Sequence, residues 1–211
     1  MPGSRVDDAL DLLDWKRRVF ALYSEVRAAA PEAGWQRWRN VRDDLFRTHA
    51  QSPVPRESRT GFGGLDYFAY DAAWRITAEV VPMESREISI GASGGDTVRF
   101  DRFAQARFAV DGEPETLDLY WLEGYGGGLF LPFADATSGS ETYGAGRYLL
   151  DTVKGADLGS SDEGLVLDFN FSYNPSCAYD PQWVCPLAPA ANRLRVPVRA
   201  GERFGDHANW Q

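Results

Sequence analysis

The chain has 211 residues, 44% of them hydrophobic, and a formal net charge of -9. That is enough apolar material for one sizeable core, while no apolar run approaches the length of a membrane-spanning helix. The first 50 residues carry nine Lys and Arg against eight Asp and Glu and the remainder thirteen against twenty-three, so the acidity belongs to the second part and argues against nucleic acid or a membrane as partner.

The opening stretch MPGSRVDDALDLLDWKRR lacks the apolar segment and cleavage site of a signal peptide, and the expected location is the cytoplasm. Residues 4–30 read as a helix, with Leu12, Trp15, Val19, Leu22, Tyr23 and Val26 in one stripe and Asp7, Asp8 and Asp11 near its start. Pro31 and Gly34 break it. Trp35, Trp38, Val41, Leu45 and Phe46 mark a second helix ending near His49. A Trp-rich stripe can serve as a partner surface, but such stripes more often bury against their own chain. Residues 1–50 are thus a helical segment and residues 51–64, with Ser52-Pro53-Val54-Pro55, an extended linker.

From residue 65 the pattern changes to period two. Trp74, Ile76, Ala78 and Val80 alternate with Arg75, Thr77 and Glu79; Ile88 and Ile90 mark a short strand. Residues 98–110 read as a bent strand, Asp111-Gly112 as a hairpin turn, and Leu117, Leu119 and Trp121 as the return strand. Further strands are expected over 129–133, 144–153, 165–173 and 194–198. Short strands with frequent turn signals indicate an antiparallel barrel or sandwich, and no helix-period segment follows residue 50. The expected fold is α+β: N-terminal helices packed on a predominantly antiparallel β-barrel-like domain over 65–204, with a tail over 205–211.

The segments FRTHAQSPV (46–54), LDYFAYDAAWRITA (65–78), GGGLFLPFADATSGSETYGAGRYLLDTVKGADLG (126–159) and LDFNFSYNPSCAYDPQWVCPLAPAANRL (167–194) resemble a prokaryotic family known as domain of unknown function 1684. The resemblance runs from about the first helix to residues 201–202. The family pattern looks like FRxHPxSP; Ala50 replaces its proline, which loosens the linker but keeps His49. The family name carries no activity, so the residues are argued one by one.

Two segments hold candidate chemistry, and their co-occurrence in the family pattern suggests that they adjoin. In the first, Glu141, Tyr143, Arg147 and Tyr148 lie within eight residues. On a strand, Tyr143 and Arg147 share a face. Arg147 is either the structural counter-ion of Glu141 or Asp168, the commoner arrangement, or a clamp on an anionic or carbonyl oxygen with Glu141 as acid or base. Gly144 and Gly146, which open space beside it, favour the clamp as the expectation to test. In the second, Asp168 and Asn170 face away from the aromatic stripe that includes Tyr173, and Asn174 follows. They point either to solvent or into a barrel lumen.

Residues 174–193 form a long loop that holds both cysteines, Cys177 and Cys185. A disulfide, a buried reduced pair and a nucleophilic thiol compete there; the cytoplasmic setting disfavours the first, and buried packing is the default. Lys154 reads as an exposed turn and His49 as a helix cap. HExxH, CxxC, GxSxG and the phosphate-loop motif are absent, and a zinc site from the cysteines with His49 and His207 would need the tail to fold back. No metal or cofactor is therefore expected. The leading expectation is a small-molecule site for a polar or anionic organic ligand at the barrel. Glu141 and Asp168 would supply any metal-free acid–base catalysis, and Tyr143, Arg147, Tyr148, Asn170, Tyr173 and Asn174 would bind. The alternatives are an interaction module built on the Trp-rich helices and a thiol redox protein. Oligomeric state is not legible.

Overall fold

The computed structural model describes residues 5–204. The first predicted helical residue, the tail over 205–211 and its His207 lie outside them. Two helices open the chain, α1 (Arg5–Ala28) and α2 (Pro31–Thr48). Pro31 starts α2, where a missing N–H costs no hydrogen bond, so the expected break between the helices is short. Gly34 lies inside α2 and lets it approach α1: a Cβ there would stand 3.3 Å from the Val26 carbonyl oxygen.

The tryptophan stripe buries against its own chain. Trp38 is fully buried, edge-on to Phe171 at 5.3 Å and Tyr67 at 5.5 Å between ring centres. Its indole N–H donates to the Tyr23 hydroxyl, and that of Trp35 to the Asn170 carbonyl. At roughly 25 cal/mol per Å2, burying the ~150–250 Å2 of an indole contributes about 4–6 kcal/mol as an upper bound. Leu12, expected in the buried stripe, is instead 49% exposed, and on the opposite face of α1 Val6, Leu10, Leu13 and Phe20 are exposed, Phe20 with one ring edge against Gly155.

Seven strands follow: β1 (Arg75–Gly91), β2 (Thr97–Val110), β3 (Glu113–Leu122), β4 (Leu129–Phe133), β5 (Arg147–Asp151), β6 (Ser160–Ser161) and β7 (Gly164–Asp168). They form one antiparallel sheet in the order β5-β4-β3-β2-β1-β7-β6. The α+β architecture is the expected one, but the sheet is open, with β5 and β6 at its edges. At the β5 edge Tyr148 makes an isolated antiparallel bridge with Tyr173, which lies in no strand. The core between sheet and helices is built on Leu117, Leu119, Leu131, Phe133, Leu149 and Phe169.

Local signals carried most of the sheet. Asp111 (φ 52°) and Gly112 (φ 83°) make the tight β2–β3 turn with both residues left-handed, as a two-residue hairpin with that sequence should. The register shift between Arg102 and Ala104 is the predicted bend in β2. Ile88 and Ile90 belong to the long β1 rather than to a strand of their own. Only Arg75, Ile76, Thr77 and Ala78 of β1 pair with β7; beyond them β1 pairs with β2 alone, and Pro82 sits in that one-sided stretch.

Three predicted strands are corrected. β5 begins at Arg147, because Tyr143 to Gly146 is a turn closed by Gly146 N–H on the Tyr143 carbonyl, 3.0 Å. β7 ends at Asp168, whose carboxylate accepts the Asn170 N–H at 3.1 Å and starts a 3-10 turn, Phe169–Phe171. Asp168, Asn170 and Ser172 are then buried as fully as the aromatic residues, facing neither solvent nor a lumen. Residues 194–198 form no strand; they run into an irregular strap.

The long loop is docked rather than free. Leu187 N–H donates to the Gly91 carbonyl, and the Asn192 amide pairs with both N–H (2.9 Å) and C=O (3.0 Å) of Asp118 like an added peptide unit. The expected linker is also packed: Arg59 donates to the carbonyls of His49, Ser52 and Val54, and Ser52 and Val54 are buried. Among the described residues no helix is long and apolar enough to cross a membrane.

Candidate functional site

Arg147 organises the region where the loop, the strap and α2 meet. It is 1% exposed, and its Nη2 lies 2.9 Å from Asp135 Oδ2. The same guanidinium donates to the carbonyls of Val198 (2.9 Å), Ala200 (2.6 Å) and Glu202 (3.2 Å). Its partner is thus neither Glu141 nor Asp168. The glycines beside it admit backbone rather than a ligand: a Cβ on Gly146 would stand 2.6 Å from the Phe133 carbonyl oxygen, and Gly144 faces Gly139. At the strap's turn Gly201 (φ 77°) packs against the Phe169 and Ser172 carbonyls.

The strap sets Glu202 beneath α2, where it is buried. Its carboxylate accepts from Arg42 Nη2 (2.7 Å), from the Asn174 N–H (3.1 Å) and from the Tyr179 hydroxyl. Burial pushes its carboxyl up to about 7 against the pull of Arg42. Arg42 also donates to the Tyr67 hydroxyl, and its guanidinium packs over the rings of Trp38 (4.8 Å), Phe46 (4.9 Å) and Tyr173 (5.0 Å). Trp38, Arg42 and Phe46 follow at four-residue spacing on one helical face, which builds this stack from sequence alone.

A cleft of ≈ 80 Å3 opens above Arg42. Trp15, Val19 and Tyr23 of α1 wall one side; Tyr148, Lys154 and the 173–176 segment wall the other. Asn174 is 4% exposed, and its Nδ2 donates to the Arg203 carbonyl at 3.0 Å, which fixes the amide orientation. Its Oδ1 is buried with no hydrogen-bond partner. A second, more apolar cavity of ≈ 100 Å3 lies against Phe100, Leu122 and Phe130 and shares Tyr148 and Lys154 with the first.

The predicted site residues divide. Tyr148, Tyr173 and Asn174 come together at this cleft, and the Tyr148 hydroxyl donates to the Pro186 carbonyl. The two predicted segments do adjoin, through the Tyr148–Tyr173 bridge. The predicted acid and base engage separate arginines. Glu141 is bound by Arg199 (3.0 and 3.1 Å), which holds its carboxyl below the usual range. Asp168 accepts from Arg75 (3.1 Å) and from Asn170 Nδ2 (2.9 Å), with burial raising its carboxyl. Asn170 in turn clamps the Asp71 backbone N–H and C=O. Tyr143 packs on Phe204 and reaches Cys177 Sγ at 3.9 Å; burial raises its phenol to about 12.

Lys154 is exposed beside the left-handed Gly155 and pairs with Asp151. His49 is the C-cap of α2, as expected, but through its backbone N–H, which donates to the Leu45 carbonyl at 3.0 Å; on its ring Nδ1 accepts the Gln51 N–H and Nε2 faces Asp14 at 3.2 Å. Among the described residues no group of three His, Cys, Asp or Glu could hold a metal ion. Arg42, Asp135 and Glu202 were missed. Arg42 had a signal, a cation inside an apolar helical stripe; Asp135 had another, an Asp-x-Thr turn whose carboxylate accepts from the Thr137 N–H. Glu202 had none.

A family model described as "Protein of unknown function (DUF1684)" matches residues 60–203. The chain belongs to this family. The match is narrower than the resemblance read from the sequence: it takes in Tyr148, Tyr173, Asn174, both cysteines and Glu202, and leaves α1, α2 and Arg42 outside. The solution NMR structure of an uncharacterised protein of Haloarcula marismortui is 38% identical, with a TM-score of 0.59, over 82% of this chain and 93% of that one. No curated protein matches the DUF1684 chain.

Two predictions follow from these pairs. Arg147→Met leaves the Asp135 carboxylate buried without its cation and should cost about 3–5 kcal/mol in chemical denaturation; a loss below 1 kcal/mol would contradict a structural role. For Glu202, the folded carboxyl near 7 lies above its ordinary 4.5, so its contribution is complete below pH 4.5 and is lost as pH rises toward 7. That gap corresponds to about 3 kcal/mol. The stability of the wild type relative to Glu202→Gln should therefore fall across this window and stay level on either side. A flat difference would mean that Glu202 titrates as an ordinary carboxylate.

Proposed function

We propose that the protein binds a small organic anion that also carries an N–H or O–H donor, in the cleft between α1, α2 and the 173–176 segment. The observation that carries this reading is the buried Asn174 Oδ1 without a partner. A buried unsatisfied acceptor costs about 1–3 kcal/mol, and a ligand donor would recover that. The cations at the cleft are Arg42, which also pairs with Glu202, and Lys154, which also pairs with Asp151; Trp15, Tyr23, Phe46, Tyr148 and Tyr173 supply flat apolar walls. Glu141 and Asp168 are each bound to an arginine away from this cleft, so the reading is of a binding site. The cytoplasmic setting remains part of it.

Native mass spectrometry of freshly purified protein should detect a small co-purifying acid. Small carboxylates and phosphates bearing an N–H or O–H should shift the Tyr173 and Asn174 amide signals. Lys154→Gln, which removes the charge without setting a second acid against Asp151, should weaken the same titration about tenfold, roughly 1.4 kcal/mol, with little change in the melting temperature. An empty protein whose cleft signals ignore the whole series would remove the reading.

A second reading rests on the exposed face of α1 and concerns assembly. Val6, Leu10, Leu13 and Phe20 are 65, 58, 41 and 48% exposed and recur at the three-, four- and seven-residue steps of a helical seam. Trp15, Leu22 and Val26 occupy the other face. α1 carries five acidic and five basic residues in a chain of net charge -9. Asp7, Asp8 and Asp11 fill its first half, and Lys16, Arg17 and Arg18 follow. The occupant this fits is a second copy of α1 laid antiparallel, which puts acid against base; a parallel copy would set like charges together. Sedimentation should show a concentration-dependent dimer that Leu13→Asp abolishes with the fold intact. A wild type that stays monomeric at high protein concentration would exclude it.

A further inference from the structure

The two cysteines form an unequal pair. Both are free; Cys185 is 4% exposed and Cys177 only partly buried. The Cys177 N–H donates to Cys185 Sγ at 3.4 Å, so the seven residues between them loop back to bring the second sulfur against the first residue. Cys185 is anchored on both sides of its peptide unit: its N–H donates to Ser93 Oγ (3.1 Å), and its carbonyl accepts the Ser93 N–H (3.0 Å). Cys177 lies in the 3-10 turn Ser176–Ala178, directly after the cleft residues Pro175 and Ser176.

We propose that Cys177 and Cys185 are a reversible dithiol–disulfide couple, in which Cys177 is the attacking thiol and Cys185 the resolving one. Three features support the order. Cys177 is the more accessible sulfur. Its neighbours Cys185, Ser93 and Tyr143 can all hydrogen-bond a thiolate, with the Cys185 thiol contributing most, and hold Cys177 down to about 6. Cys185, which supplies that hydrogen bond, is pushed up by it and by burial. An accessible, low-pKa thiol beside a protonated partner is the arrangement that disulfide exchange uses.

With glutathione disulfide as oxidant, the Cys177 thiolate attacks one sulfur, the glutathione S–S bond breaks, and one glutathione thiolate leaves. Cys185 loses its proton to that thiolate and attacks Cys177 Sγ. The protein S–S bond forms as the mixed disulfide breaks and the second glutathione leaves. It takes up the proton that Cys177 released on ionising. Two protein thiols are oxidised and one glutathione disulfide is reduced to two thiols. The new bond closes the 177–185 loop next to the cleft wall, so the couple would stiffen that wall in its oxidised form.

The test uses the full chain in glutathione buffers of graded redox potential, quenched by alkylation and read by intact mass. The wild type should lose both thiols together, with a mass loss of two hydrogens and full recovery on reduction. Cys185→Ser should hold one glutathione on Cys177, whereas Cys177→Ser should stay at least tenfold slower to modify. Limiting iodoacetamide on the reduced wild type at pH 7 should label Cys177 at least tenfold over Cys185, a readout that needs no variant. A wild type that keeps two free thiols in the most oxidising buffer, or equal labelling of the two cysteines, would overturn the proposal.

Discussion

The buried contact of Arg147 with Asp135 is the interaction on which the rest of this region depends. A guanidinium that cannot lose its proton has been taken out of water, so every oxygen it meets must compensate. One carboxylate and three carbonyls of the 198–202 strap do so. The strap has no strand ladder of its own. Its course is set by this charge, by Asp135 Oδ1 accepting the Val198 N–H, and by the turn at Gly201. Glu202 reaches its place under α2 only because the strap ends there.

The cleft is therefore a composite. One wall comes from the family-matched part, through Tyr148, Tyr173 and Asn174. The other wall and the stacked Arg42 come from the helices. The two parts are joined across Glu202, which binds Arg42 from one side and the Asn174 N–H and Tyr179 hydroxyl from the other. A change in the charge of Glu202 acts on both walls at once.

How much of this the sequence disclosed follows from the range of the interactions. Both helices, the Asp111-Gly112 hairpin and β2 to β4 rest on spacing and turn chemistry within a few residues, and these were legible. The 165–173 alternation failed because the chain turns at Asp168 and both of its faces are buried; period two locates a face only while the strand lasts. Arg147 was recognised as needing a partner, but Asp135 lies beyond a turn and the decisive carbonyls are more than fifty residues away. The adjoining of the two candidate segments was legible at Tyr148 and Tyr173, and the catalytic pairing of Glu141 with Asp168 was not supported by their arginine partners.

Between Glu79 and Ile90, short of the Gly91 carbonyl that Leu187 covers, β1 has no strand partner on the side away from β2 among the described residues, and such an edge is the usual template for intermolecular strand addition and aggregation. This edge is unsuited to it. Pro82 removes a donor, the register shift between Pro82 and Arg86 twists the strand, and Glu79, Glu84, Arg86 and Glu87 place charge along the same run. A neighbouring chain would have to bury those charges to extend the sheet. The length of β1 thus carries its own protection against fibrillar growth, in the residues that make it a poor strand by propensity.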